Sequence, residues 1–280
     1  MELRTQAQRA LCLDEPVAKV AAVRDLWARA RAAAPLIDAP GPPHHAGLWL
    51  DTQAALAECE GLPGRPARPV LVPHVRMAQR SPATLAGRAA LLHAIAHIEF
   101  NAINLALDAV WRFAGLPAAY YLDWLRVAAE EAEHHTLLAD HLATLGHAYG
   151  DFEAHDGLWA MTFKTRADFV ARMALVPRTL EARGLDATPP IQAKLRHAGD
   201  HAAVAILDVI LRDEIGHVAI GNRWYAWACE RAGLDALAHY PVLVAQYEAP
   251  RLRPPLNRAA RLAAGFSEAE LAYLESPDGR

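Results

Sequence analysis

One pattern of acidic residues and histidines occurs twice in this chain, and it restricts the folds that can contain it. Glu131 and His134 stand three residues apart, and Glu214 and His217 repeat that spacing 83 residues later. Residues three apart lie on the same face of a helix. In both runs the other residues of that face are apolar, so both pairs are predicted to point into a core. A buried carboxylate is costly unless a cation neutralises it.

Two single glutamates complete the pattern. Glu99 and Glu181 each stand among apolar residues, and they are 82 residues apart. The order along the chain is therefore Glu, Glu-x-x-His, Glu, Glu-x-x-His, which is the ligand set of a carboxylate-bridged two-metal site in a four-helix bundle. We predict six metal ligands: Glu99, Glu131, His134, Glu181, Glu214 and His217.

Charge and ligand type both indicate the metal. The four predicted carboxylates carry a charge of −4, which two divalent cations balance. Oxygen and imidazole ligands without sulfur favour iron or manganese over a structural zinc site. We therefore expect two iron ions, with manganese as the alternative.

The first two ligand helices are predicted over residues 81–113 and 117–145, with Ser81 as the N-cap of the first. Glu99 lies 14 residues before the end of the first helix, and Glu131 lies 14 residues after the start of the second. At 1.5 Å per residue each arm is about 21 Å long. An antiparallel hairpin therefore places Glu99 level with Glu131, which supports a shared site.

The third ligand helix is predicted over residues 167–183, with Gly184 ending it. Glu181 then lies only three residues before the stop, so this arm is too short to match the others. Residues 185–199 would form an inserted loop and short helix. The alternative is a helix that continues through Gly184, with Pro177 loosening the turn that presents Glu181.

The fourth ligand helix has clear boundaries in the sequence. It is predicted over residues 201–232, with Asp200 as N-cap and Gly233 following its end. Near the C-terminus, Ser267 and Glu270 have the spacing of a capping box for one last short helix. Both helices are therefore predicted from residues that stabilise helix ends.

Two groups of residues have an interpretation that does not involve metal ligation. Arg178 lies three residues before Glu181, so an ion pair between them is the alternative to a metal ligand at Glu181. His93 and His97 form a pair four residues apart, but helical geometry turns them away from Glu99. Packing or surface roles are favoured for these two histidines.

The motifs as a whole resemble the ferritin-like di-iron carboxylate superfamily. The segments HAIAHIEFNAI, EEAEHH and RDEIGHVAIGN are similar to a bacterial ferritin-like family of unassigned function. The resemblance covers roughly residues 88–232 and implies an all-α fold, a ferritin-like four-helix bundle with one long crossover. We expect the bundle over residues 81–233. A helical and Pro-rich extension (1–80) precedes it, beginning with a helix over 1–34, and a C-terminal extension (234–280) follows.

The resemblance implies a non-haem di-iron oxidase or oxygenase that activates dioxygen and acts on a small-molecule substrate. The alternatives are a ferroxidase or iron-handling protein, a dimanganese or di-iron peroxidase, a tRNA-modifying hydroxylase, and a non-enzymatic metal-stabilised bundle. Without a Cys-x-x-Cys pair, the chain has no rubredoxin-like donor of its own. An external electron donor is therefore expected, and a homodimer is one assembly that the sequence allows.

Composition restricts the partners and the compartment. The net charge of −4 gives no general attraction to nucleic acid or to an anionic membrane, so a nucleic-acid partner is not favoured. Three cysteines without ligand spacing indicate reduced thiols in a cytoplasm. The first residues lack the apolar segment of a signal peptide. No apolar run reaches the length of a membrane span without a charge, so no membrane association is expected.

Overall fold

The computed structural model describes residues 1–37, 47–78, 80–252, 254–277 and 279. Their regular structure is helical, and in these residues the only β-type pairings are two isolated bridges, which confirms the all-α class. The chain forms two compact units. The first unit contains Met1–Gln79 and Ala89–Asp156, and the second contains Arg80–Arg88 and Gly157–Arg280. The predicted division into extension, bundle and extension stays a prediction.

The first unit is built on four helices. They are α1 (Leu3–Leu11), α2 (Pro16–Ile37), α3 (Leu85–Arg112), whose first turn belongs to the second unit, and α4 (Ala118–Thr144). Helix α2 packs against both α1 and α4. The single helix predicted over residues 1–34 is wrong, because the chain breaks before Pro16, whose fixed φ suits the first turn of a new helix. Residues 38–46 of the predicted Pro-rich stretch lie outside the described residues.

The described chain segment between α2 and α3 (residues 47–78 and 80–84) has little regular secondary structure. It contains one short 3₁₀ turn, His74–Arg76. Backbone hydrogen bonds attach it to the helical part of the first unit: Trp49 pairs with residues beside Glu2, and Val72 N–H donates to the carbonyl of Ala154 at 2.8 Å. The segment is therefore held against this unit at several points.

The start of α3 differs from the prediction. The helix begins at Leu85, and Thr84 Oγ1 accepts a hydrogen bond from Gly87 N–H at 3.1 Å. Thr84 thus caps the helix, and the predicted N-cap Ser81 lies in the preceding turn. Helix α4 begins after Pro117 and ends before Leu145, which confirms its predicted boundaries.

The second unit is arranged around one long helix. Its elements are α5 (Gly157–Lys164), α6 (Phe169–Leu175), a π-helical segment (Val176–Glu181), α7 (Ala182–His197), α8 (His201–Ala232), α9 (Ala236–Gln246), α10 (Arg258–Ala263) and α11 (Glu268–Glu275). Helix α8 contacts α6, the π segment, α7, α9 and α10. Its ends are as predicted: Asp200 accepts from Ala203 N–H, and Gly233 adopts the left-handed conformation. The predicted capping box of Ser267 and Glu270 begins α11.

The third ligand helix ends later than predicted. Gly184 does not stop it; the chain stays helical through α7 as far as His197, which is the alternative reading of the sequence. The irregularity occurs instead at the π segment, which contains Pro177. Proline has no N–H to donate, and its ring clashes with the carbonyl one turn earlier, so the helix widens locally instead of ending.

Helix α3 is the one described helix that is long and apolar enough to cross a membrane by composition alone. Its most apolar window has a mean hydropathy of 1.3, and 72% of that window is buried inside the protein. Such burial is typical of a core helix and is consistent with a soluble protein.

Candidate metal centre

Three of the six predicted ligands form a buried cluster in the first unit. His134 Nδ1 lies 3.2 Å from Glu99 Oε2 and 3.3 Å from Glu131 Oε2. The ligand atoms of all three side chains lie within 4.8 Å of one another. Glu131 and His134 are fully buried, and Glu99 is 4% exposed. This buried cluster could hold a metal ion.

The local helices explain this convergence. Glu99 projects from α3, and Glu131 and His134 project from one face of α4 because they are three residues apart. The next residue, His135, donates from Nδ1 to the carbonyl of Ala96 at 3.0 Å and so fastens α4 to α3 beside the cluster. The equal arms of the hairpin predicted that Glu99 and Glu131 stand level, and the contacts confirm it. The bond of His135 had no signal in the sequence.

The electrostatics of the cluster favour a bound cation. Burial, together with the nearby charge of Glu131, raises the pKa of Glu99 from 4.5 to about 7, although His134 acts in the opposite direction. Glu99 therefore retains its proton up to near neutral pH in the metal-free protein. A divalent cation would offset this cost of burial, because its charge neutralises both carboxylates and the imidazole can donate a lone pair to it.

Buried apolar side chains lie on the same two helices as the cluster, within two turns of its residues. Trp124 lies two turns before Glu131 on α4 and is fully buried, with its indole Nε1 lacking a hydrogen-bond partner among the described residues. Leu92, Ile103 and Leu138 are also fully buried. Such a low-dielectric surrounding strengthens the attraction between carboxylates and a cation. The donor set and its burial fit a divalent metal ion.

The second Glu-x-x-His pair lies in the second unit on α8. His217 Nδ1 is 3.6 Å from Glu214 Oε1, His217 is fully buried and Glu214 is 8% exposed. Glu214 Oε2 is buried without a hydrogen-bond partner among the described residues. An orphaned buried carboxylate oxygen beside an imidazole suits cation binding. The ligand role of this pair nevertheless stays a prediction.

Glu181 is the last residue of the π segment and is 8% exposed. Both terminal nitrogens of Arg178, the predicted alternative partner of Glu181, have other hydrogen-bond partners. Nη1 donates to Asn222 Oδ1 at 2.8 Å and Nη2 donates to Glu270 Oε1 at 2.6 Å. The ligand role of Glu181 and the alternative ion pair with Arg178 both stay predictions.

His93 and His97 lie on another face of α3 and bond to a different set of groups. His93 Nε2 accepts from Gly150 N–H at 2.9 Å, and His97 is within 2.9 Å of both Tyr149 and Asn101. Burial lowers the pKa of His93 to about 4 and that of His97 to about 3, so both rings are neutral. Both histidines pack and form hydrogen bonds in the interior. Packing was one of the two predicted roles, and the predicted surface role is wrong.

Comparisons with known proteins place the chain in a family. A protein of Haemophilus influenzae described as "Uncharacterized protein" is 53% identical over 216 residues, which is 75% of each chain. No solved structure matches the chain. A family model described as "Protein of unknown function (DUF455)" matches residues 12–272, so the chain belongs to this family.

Proposed function

We propose that this protein is a non-haem di-iron oxidase or oxygenase with a ferritin-like four-helix bundle. The observation that carries the proposal is the buried cluster of Glu99, Glu131 and His134, in which one imidazole nitrogen lies within 3.3 Å of two carboxylates. Two buried acids so close together are destabilising without a cation, and a mixed oxygen and imidazole set is a ligand set for iron.

The sequence pattern supports a shared role for two sets of ligands, Glu99 with Glu131 and His134, and Glu181 with Glu214 and His217. Each unit supplies one single Glu and one Glu-x-x-His pair in the same order, which is the composition of a two-metal carboxylate site. In this proposal Glu131 with His134 and Glu214 with His217 each hold one iron. Glu99 and Glu181 complete the ligands, because two cations then balance four carboxylates.

The protein's own residues prepare the site. Glu99, whose pKa burial raises to about 7, would lose its proton when a cation binds, and His134, whose Nδ1 lies within 3.3 Å of both acids, would offer a nitrogen ligand. Trp124 and the buried aliphatic residues exclude water from the cluster. Two irons held in this way would supply the reduction of dioxygen and the oxidation of a small organic substrate.

An electron donor outside the chain supports turnover in this proposal. The chain has three cysteines without a Cys-x-x-Cys pair, and none of them belongs to the cluster of the first unit. Since the chain has no such pair to hold an electron-transfer metal of its own, the electrons would come from a separate reductase or a small reductant.

The test is metal analysis of protein produced with added iron and purified without oxygen. We expect about two iron ions per chain and a new visible or near-ultraviolet absorption when oxygen is added to the Fe(II) form. Manganese measured in the same samples separates the two metals. A chain with only traces of metal would sink the proposal, and one iron per chain would limit it to a single-metal site.

A further inference from the structure

The first unit contains a second candidate site, a cavity of about 350 Å³. One wall is the chain segment 65–71, and the opposite wall consists of His97, Phe100 and Asn101 of α3 together with Tyr149. This volume lies at the lower end of the range for small-molecule sites. It therefore fits a small ligand and not a large cofactor.

The cavity lies on the face of α3 that is turned away from Glu99. Glu99 is two residues from both His97 and Asn101, which is about 200° around a helix in either case. The cavity and the carboxylate cluster are therefore separated by the body of the helix. A molecule bound in this cavity would therefore not contact the proposed metal centre, and its binding is independent of the proposed function.

A chain of hydrogen bonds fixes the direction of each polar group in the wall. Asn101 Nδ2 donates to the carbonyl of His97 at 3.1 Å and to His97 Nε2 at 2.9 Å. Because Nε2 accepts, the neutral imidazole has its proton on Nδ1, which donates to the Tyr149 hydroxyl at 2.9 Å. The Tyr149 hydroxyl must therefore donate its own proton elsewhere, and Asn101 Oδ1 remains an acceptor.

Tyr149 cannot easily turn away from the cavity. Its ring stacks on His93 at 5.4 Å, meets His135 edge-on at 4.8 Å and packs against Phe100 at 5.6 Å. The opposite wall is fixed by Ala154, whose N–H donates to the carbonyl of Val70 at 3.0 Å. Since both walls are held in place before any ligand arrives, binding costs little conformational entropy.

The side chain of Arg65 supplies a positive charge at the edge of this cavity. Arg65 uses Nη2 to pair with Asp156 at 2.8 Å, and no hydrogen bond occupies its other guanidinium nitrogens among the described residues. Its side chain is 28% exposed. An arginine with a free edge is suited to a carboxylate, which accepts two parallel hydrogen bonds from the guanidinium.

We propose that this cavity binds a small planar aromatic carboxylate that also has a hydrogen-bond donor on its ring. The carboxylate accepts from Arg65 and from the Tyr149 hydroxyl. The ring lies between Phe100 and the prolines of the opposite wall, and its donor reaches Asn101 Oδ1. This arrangement gives hydrogen-bond partners to the remaining guanidinium nitrogens of Arg65, to the Tyr149 hydroxyl proton and to Asn101 Oδ1.

The test is titration calorimetry with 3-hydroxybenzoate, which has all three features. We expect binding that weakens about tenfold or more for 3-methoxybenzoate, which lacks the donor, and for 3-hydroxycyclohexanecarboxylate, which keeps the donor and lacks the planar ring. Tyr149→Phe keeps the packing and removes only the hydroxyl, so it should weaken binding about tenfold or more. Arg65→Gln should weaken it by a similar factor or more.

A matched control is Tyr247→Phe, which removes a hydroxyl that donates to Asp168 in the second unit and should leave the affinity unchanged. Thermal melting of each variant separates loss of binding from loss of folding. The proposal is overturned if 3-hydroxybenzoate does not bind the folded wild-type protein at millimolar concentration. It is equally overturned if folded Tyr149→Phe and Arg65→Gln bind as tightly as the wild type.

Discussion

The ring of Pro177 lies directly against Gly221 of α8. A Cβ atom placed on Gly221 would be 2.5 Å from Pro177 Cβ and 2.7 Å from its Cγ, much closer than two carbon atoms can approach. The absence of a side chain at Gly221 therefore makes room for the π segment, whose last residue is Glu181. One glycine on α8 thus fixes the position of a predicted ligand on the neighbouring helix.

Gly221→Ala should consequently destabilise the protein. The added methyl group must displace Pro177 or bend α8, and overpacking of this kind costs about 1–3 kcal/mol. Displacement of the π segment should also reduce the iron bound per chain. Denaturant unfolding and metal analysis of the same preparation measure the two effects.

Gly184→Ala is the matched control, because this glycine lies inside helix α7 and a Cβ there meets no atom within 4 Å. Alanine in a helix interior is favoured over glycine by about 0.5–1 kcal/mol. We therefore expect the control to be slightly more stable than the wild type with unchanged iron content. Equal losses from both substitutions would show that the contact between Pro177 and Gly221 is not the cause.

The metal-free protein should lose stability as the pH rises from about 4.5 to 7. The pKa of Glu99 is raised from 4.5 to about 7 in the folded state, first by burial and then by Glu131. Between these pH values Glu99 holds a proton in the folded protein that the unfolded chain releases. Its contribution to the free energy of unfolding is therefore complete below about pH 4.5 and declines as the pH rises to about 7. The decline should be a few kcal/mol, measured by urea unfolding of chelated protein across this range.

Glu99→Gln provides the control for this pH dependence, since glutamine keeps the shape and does not titrate. We expect the metal-free variant to match the wild type near pH 4.5 and to exceed its stability at pH 8. Metal-loaded wild type should show a flatter profile, because the cation keeps both carboxylates ionised. A variant with the same slope as the wild type would assign the effect to other groups.

The sequence predicted features that depend on helix geometry and on helix ends. Equal arms of 14 residues placed Glu99 level with Glu131, because the rise per residue is constant along a regular helix. The caps at Asp200 and Ser267 were also predicted correctly, since a cap is a local contact between a side chain and a nearby backbone N–H. These features need no knowledge of distant residues.

Other features depend on contacts between distant residues, and the sequence did not contain a readable signal for them. The sequence left open whether a helix ends at Gly184 or continues with Pro177 loosening one turn; the structure has the continuous helix, and Gly221 leaves room for Pro177. Likewise, the partners of Arg178 come from residues 44 and 92 positions away. Tertiary contacts of this kind override local propensity.

Arg178 should contribute strongly to the stability of the second unit. Its side chain is 5% exposed, its nitrogens bond Asn222 and Glu270, and its guanidinium lies 4.7 Å from the ring centre of Phe266. Arg178→Ala leaves Glu270 without its cation, and loss of one partner of a buried ion pair costs about 3–5 kcal/mol. The exposed pair of Arg212 with Asp213 is the comparison, and Arg212→Ala should change the free energy of unfolding by less than about 1 kcal/mol.

Substitutions on one turn of α3 distinguish a metal ligand from a neighbouring histidine. Glu99→Ala should lower the iron content and the oxygen consumption with Fe(II), because Glu99 lies beside His134 in the buried cluster. His97→Ala should leave both unchanged, because His97 bonds Tyr149 and Asn101 on the opposite face. Glu131→Ala and His134→Ala should behave like Glu99→Ala. If His97→Ala lost iron while Glu99→Ala kept it, the cluster of the first unit would not be the metal site.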